Sequence, residues 1–67
     1  MREINTCGLS CPQPVLMFQE ASRTEKEMDV LVDNEASREN VTRAAKKKGY
    51  QVNPVDLGDG VTRLELR

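Results

Sequence analysis

The chain has 67 residues with one Phe, one Tyr and no Trp, so residues 1–67 are expected to fold as a single domain around a small aliphatic core. Ten basic and eleven acidic residues give a net charge of -1, and this balance, with so few stacking aromatics, argues against direct nucleic-acid binding. No apolar run approaches the length of a membrane span, and the first residues lack the basic and apolar parts of a secretory signal. We therefore expect a cytoplasmic domain that binds neither nucleic acid nor membranes.

Alternating apolar residues predict strands, while apolar residues at helical spacing with flanking cap residues predict helices. Asp33-Asn34 is a candidate cap for a helix that Gly49 would stop. Gly58-Asp59-Gly60 is a strong hairpin signal. The predicted elements in chain order are a strand over residues 2–7, a helix over 12–24, a strand through Met28, Val30 and Val32, a helix over 35–48, a strand through Val52, Val55 and Leu57, and a strand through Thr62, Leu64 and Leu66.

The order β-α-β-α-β-β limits the topology of the sheet. Two right-handed crossovers that place both helices on one face must step in the same direction, and the final hairpin must pair antiparallel. Pro54 favours an edge position for the third strand, because proline cannot donate a hydrogen bond within a ladder. We therefore predict an α/β fold, more closely a two-layer α+β sandwich, with a four-stranded mixed sheet of order 1-2-4-3 and two helices on one face.

Cys11 stands where a loop is predicted to become a helix, at the head of the sequence Cys11-Pro12-Gln13-Pro14. Proline is tolerated in the first turn of a helix and steers the preceding residue away from helical geometry, so Cys11 is expected at the cap. The positive end of the helix dipole favours a thiolate at that point. Gly8 can adopt a positive φ in the loop. Position alone leaves two interpretations of Cys11, a reactive thiol or a small packed residue.

Other chemistries are excluded more firmly. The chain has no histidine, which excludes a Cys–His nucleophile pair and histidine ligation of a metal. Cys7 and Cys11 lack the C-x2-C spacing of zinc sites, so we expect no metal, and nothing in the sequence calls for a cofactor. Cys7 is either a packed residue at the end of the first strand or a resolving thiol that forms a disulfide with Cys11. We favour the packed residue, because C-x3-C is a weak redox signal.

The predicted second helix has acidic residues towards its start and basic residues towards its end. The basic residues are Arg43, Lys46, Lys47 and Lys48. This distribution complements the helix dipole, so a solvated helix face is the simpler interpretation. The alternative is a docking patch for an acidic surface of a protein partner.

The segment Gly8-Leu9-Ser10-Cys11-Pro12-Gln13-Pro14-Val15 resembles the signature of the TusA/SirA-like sulfur-carrier family, in which Cys-Pro-x-Pro follows a Gly-Leu turn. The resemblance covers nearly the whole chain, and the predicted order of elements is that of the family. Asp33-Asn34-Glu35-Ala36 and Arg38-Glu39-Asn40-Val41 are similar to the amino-terminal domain of YedF-type proteins, which are linked by name to selenium metabolism. Cys7 departs from the pattern, because relatives more usually have a basic residue there.

The resemblance implies a sulfurtransferase-type carrier that acts with partner enzymes. Cys11 would accept a sulfane sulfur from a cysteine desulfurase or another donor, hold it as a persulfide and pass it to a downstream thiol. Pro12 and Pro14 would stiffen the start of the helix, and Gly8 and Leu9 would shape the loop that protein partners contact. Selenium is an alternative cargo.

Two other functions remain open at this point. One is a thiol-redox element in which Cys7 and Cys11 interconvert with a disulfide. The other is a non-catalytic interaction or regulatory module in which Cys11 is idle.

Overall fold

A mixed sheet of four strands carries two helices in the computed structural model, which describes residues 2–8 and 13–67. The elements are β1 (Arg2–Asn5), α1 (Gln13–Ala21), β2 (Met28–Val32), α2 (Glu35–Lys47), β3 (Val52–Gly58) and β4 (Val61–Leu66). The sheet order is β1-β2-β4-β3, with β1 parallel to β2 and β4 antiparallel to β2 and β3. The predicted fold class, element order and sheet order are confirmed.

One face of the sheet and the inner faces of both helices enclose a single hydrophobic core. Its members alternate along β2 and β4, as the period-two pattern predicted. The ring of Phe18 on α1 packs edge-on against Tyr50, with ring centroids 5.6 Å apart. The buried hydrophobic residues are Ile4, Phe18, Ala21, Met28, Val30, Val32, Val41, Ala45, Leu64 and Leu66. Because both helices contribute to this one cluster, they lie on the same face of the sheet.

α2 has the boundaries that its capping residues predict. The Asn34 side chain accepts a hydrogen bond of 2.8 Å from the backbone N–H of Ser37, which satisfies one of the free donors of the first turn. Lys48 closes the helix, and Gly49 follows with a φ of 97°. Such a φ favours glycine, so the predicted stop at Gly49 is confirmed.

β1 and α1 are shorter than predicted. The Asn5 side chain accepts a hydrogen bond of 2.9 Å from the N–H of Cys7, which turns the chain away soon after β1 ends. Cys7 therefore lies in a turn beyond β1, not at its last residue. α1 ends at Ala21, because Thr24 bonds to the carbonyl three residues back and tightens the chain into a turn. The predicted helix start at Pro12 falls outside the described residues.

β3 lies at an edge of the sheet, and Pro54 fits that edge without disturbing the ladder. Gln51 and Arg67 exchange two backbone hydrogen bonds, of 3.0 and 3.5 Å. Hydrogen-bonded and non-hydrogen-bonded pairs alternate in an antiparallel ladder, so the Pro54 pair with Leu64 is a non-hydrogen-bonded one. The Pro54 nitrogen thus faces the outer edge, where no ladder bond is lost.

The β3–β4 connection is the predicted hairpin, with two residues between the strands. Asp59 and Gly60 have φ values of 53° and 77°, as a type I′ turn requires. A register shift between Asp56 and Gly58 forms a bulge just before the turn.

Candidate functional site

The connections after β1 and β2 lie side by side at one end of the sheet. Both strands run in the same direction, with Asn5 opposite Leu31, so their carboxyl ends meet at that end. The backbone N–H of Thr6 still donates to the carbonyl of Leu31 at 3.0 Å. Residues 6–8, which directly follow β1, are called the thiol loop.

Asp33 binds the thiol loop. The backbone N–H of Gly8 donates a hydrogen bond of 2.7 Å to Oδ2 of Asp33, across 25 residues of sequence. Gly8 has a φ of 84°, a conformation that glycine adopts without strain. The sequence therefore identified Gly8 as a loop residue, whereas the partner of its N–H emerges only from the fold.

Hydrogen bonds continue from Asp33 into α2. The Asn34 side chain donates to Oδ1 of Asp33 at 3.1 Å, and its own Oδ1 accepts from the Ser37 N–H. Each oxygen of the Asp33 carboxylate thus has a partner. This chain of bonds joins the thiol loop to the amino terminus of α2.

Cys7 is half-buried beside this anchor. Burial is the main cause that raises the pKa of its thiol, and the negative charge of Asp33 raises it further. Its backbone N–H is bound by Asn5, as described above. Cys7 is thus a neutral thiol at physiological pH, held in a fixed turn.

α1 is the next described element after the thiol loop. Pro14, the second residue of α1, is buried, while the side chain of Leu16 is 52% exposed. The first turn of α1 contains no acidic residue, so no carboxylate within it offsets the positive end of the helix dipole. The predicted site residues Leu9, Cys11 and Pro12 lie outside the described residues.

The basic residues proposed for docking lie far along α2 from the thiol loop. Arg43, Lys46, Lys47 and Lys48 are all exposed. At 1.5 Å per residue, the 13 residues of α2 span about 18 Å, and these basic residues occupy its last part. The structure does not bring them to the carboxyl ends of β1 and β2.

Within residues 2–8 and 13–67, no group of three or more Cys, Asp or Glu side chains is arranged to hold a metal ion. The helices in this part of the chain, of 9 and 13 residues, are too short to cross a membrane.

Comparison with known proteins assigns the family. The model of the family described as Sulfurtransferase TusA matches residues 2–67. The chain belongs to this family. A putative sulfur carrier protein of Archaeoglobus fulgidus is 28% identical over 71 residues, which cover 100% of this chain and 92% of that protein. The crystal structure of a SirA-like protein from Desulfitobacterium hafniense matches with a TM-score of 0.86 and 33% identity, covering 98% of this chain and 95% of that one. The predicted TusA/SirA-like membership is confirmed, whereas the likeness to YedF-type proteins stays a prediction.

Proposed function

We propose that this TusA-family protein is a sulfur carrier that holds a sulfane sulfur on Cys11 as a persulfide and delivers it to a thiol of a downstream protein. The observation that carries the proposal is the family match over residues 2–67. The match includes the sequence Cys11-Pro12-Gln13-Pro14, whose last two residues begin α1. The name of the Archaeoglobus fulgidus relative, a putative sulfur carrier protein, supports the same role.

The transfer needs two displacements at sulfur. The Cys11 thiolate attacks the terminal sulfur of a donor persulfide, the donor S–S bond breaks, and the donor thiolate leaves. An acceptor thiolate then attacks the terminal sulfur of the Cys11 persulfide and releases the Cys11 thiolate. A low pKa at Cys11 favours both steps, because the thiolate is the nucleophile first and the leaving group afterwards.

The described residues on either side of Cys11 support this role. The Gly8–Asp33 hydrogen bond fixes the chain before Cys11, and Pro14, which follows Cys11 in the first turn of α1, is buried. The positive end of α1 is not offset by an acid in its first turn, which favours an anion near that helix start. Exposed Leu16 in the same turn offers apolar contact area to a protein donor or acceptor.

Cys7 is the less suitable thiol. Burial and the charge of Asp33 raise the pKa of Cys7, so its thiolate is scarce at neutral pH and attack by Cys7 is slow. We therefore assign sulfur acceptance to Cys11. A Cys7–Cys11 redox element is retained only as an outcome of the test.

The test is sulfur loading followed by intact mass measurement. Incubation with a cysteine desulfurase and cysteine is expected to add one sulfur atom to the wild-type protein, and a reducing thiol should remove it. Cys11→Ala should abolish the adduct, while Cys7→Ala should retain it. An undiminished adduct on Cys11→Ala would refute the assignment.

Three further arms separate the alternatives. Loss of two hydrogens on mild oxidation, without sulfur addition, would support the disulfide element instead. Selenocysteine in place of cysteine tests selenium as cargo at the same thiol.

Charge reversal at Lys46, Lys47 and Lys48 should leave loading unchanged, and loss of loading in that variant would show that these residues dock the donor.

A further inference from the structure

We infer that Asp33 is a positioning residue for sulfur transfer, which fixes the thiol loop by accepting the Gly8 N–H in its carboxylate. The predicted effect on sulfur loading rests on the proposed function. The predicted effects on Cys7 alkylation and on hydrogen exchange of the Gly8 amide do not.

The geometry at Asp33 is that of a strong and directed bond. The N–O distance of 2.7 Å is at the short end for an N–H donor, as expected when the acceptor is charged. Asp33 is half-buried and directly follows β2. The bond therefore fixes the backbone at Gly8, three positions before Cys11 in the chain.

Helix capping does not account for the Asp33 side chain. The cap of α2 is Asn34, whose Oδ1 receives the Ser37 N–H. The carboxylate of Asp33 instead accepts from Gly8 and from the Asn34 side chain. Asp33 therefore links the cap to the thiol loop, and its recorded backbone partner lies in the loop and not in the helix.

The charge of Asp33 provides a second, independent signal in the same loop. Among the described residues, Asp33 is the charged group whose field raises the pKa of Cys7, in addition to the larger effect of burial. The pKa of Cys7 therefore depends on the Asp33 carboxylate and can be measured without any transfer of sulfur. Hydrogen exchange of the Gly8 amide measures the hydrogen bond itself.

The first experiment uses the Cys11→Ser protein, in which Cys7 is the sole thiol. Asp33→Asn removes the charge and keeps an oxygen acceptor, while Asp33→Ala removes both. Both variants should shift the pH profile of Cys7 alkylation by iodoacetamide to lower pH. Only Asp33→Ala should lose protection of the Gly8 amide from hydrogen exchange, by about tenfold.

The second experiment measures the rate of sulfur loading with Cys11 restored. Asp33→Ala should slow loading by about tenfold or more, because a misplaced reacting group loses much of its rate. Asp33→Asn should stay within about threefold of wild type, since an amide oxygen still accepts the Gly8 N–H.

Asp56 offers a matched control, because its Oδ1 accepts the N–H of Gly58 at 2.9 Å in the β3–β4 connection. Asp56→Ala should change neither Cys7 alkylation nor loading. The inference is wrong if Asp33→Ala behaves as Asp56→Ala does in all three measurements, or if Gly8 protection is unchanged. If the Gly8 and Cys7 effects appear but wild type accepts no sulfur, the anchor stands and the proposed function fails.

Discussion

Glu65 is a carboxyl group whose neighbours on β3 and β4 change its pKa. Glu65 on β4 accepts a hydrogen bond of 3.0 Å from Asn53 on β3 and lies 3.1 Å from Arg63. The Asn53 bond is the main cause that lowers the pKa of Glu65. Burial opposes it as the next largest effect, while the charge and hydrogen bond of Arg63 and the charge of Arg67 lower the pKa further. Such partly exposed contacts contribute little to stability, so their clearest signature is a titration.

Removal of the Asn53 side chain should raise the pKa of Glu65 towards the ordinary carboxyl value. Because the folded-state pKa is lowered, the contribution of Glu65 is present above its unfolded pKa and is lost as pH falls through the folded value. Asn53→Ala should therefore lose less stability on acidification than wild type does. Carboxyl NMR titration measures the pKa, and Gln51→Ala, with an exposed side chain, serves as control. An unchanged pKa of Glu65 in Asn53→Ala would contradict this account.

The β3–β4 hairpin is an element whose stability depends on backbone conformation at its turn. Asp59 and Gly60 both have positive φ. A Cβ built on Gly60 would meet no heavy atom within 4 Å, so there is space for a side chain there. Any penalty for a substitution is therefore conformational and not a clash.

Gly60→Ala should destabilise the fold by about 1–2 kcal/mol, because an L-residue pays that much in the left-handed region. Urea denaturation should show a lower midpoint with an unchanged slope. Asp59→Asn, which keeps a residue that tolerates positive φ, should be close to neutral. Equal effects of the two substitutions would show that the turn is not the cause.

The whole molecule depends on one small core in which Phe18 is the largest buried side chain. Phe18 is fully buried and contacts Tyr50, whose hydroxyl donates to the carbonyl of Glu25 at 2.6 Å. Proteins are stable by about 0.05–0.15 kcal/mol per residue, which gives about 3 to 10 kcal/mol for 67 residues. A single core position can therefore account for a large share of the total.

Phe18→Ala should cost about 3–5 kcal/mol and leave a large fraction of the protein unfolded at 25 °C. Circular dichroism against temperature measures the loss. Phe18→Leu keeps most of the apolar volume and should remain folded with a lower Tm. A Phe18→Ala protein with the wild-type Tm would show that the α1 contact is dispensable.

Local signals predicted most of the fold, because the decisive residues act on their immediate neighbours. Asn34 caps α2, Gly49 stops it, and Pro54 places β3 at an edge. The predicted ends of β1 and α1 lie two and three residues beyond the ends that the structure gives them. There the chain leaves its element through a side-chain bond of Asn5 and a tight turn at Thr24, without a proline or glycine to mark the end.

The candidate site was less predictable from sequence. Gly8 and Cys7 were singled out by their type and spacing, but Asp33 was interpreted as part of a helix cap and of the stretch that resembles YedF-type proteins, not as a partner of Gly8. Its bond to Gly8 joins residues 25 positions apart and depends on the parallel pairing of β1 and β2. Neither the sequence around Gly8 nor the sequence around Asp33 indicates by itself that the two residues are in contact.

The outward-facing nitrogen of Pro54 has a consequence for self-association. Sheets polymerise when each molecule can pair at both of its edges, because every added copy must leave a new edge free. At β3, the proline removes a donor from the outer row and the nearby bulge distorts the strand, so that edge accepts another strand poorly. Pairing through β1 alone stops at two copies. Pro54 is therefore expected to make β3 the edge at which the addition of further copies to the sheet stops.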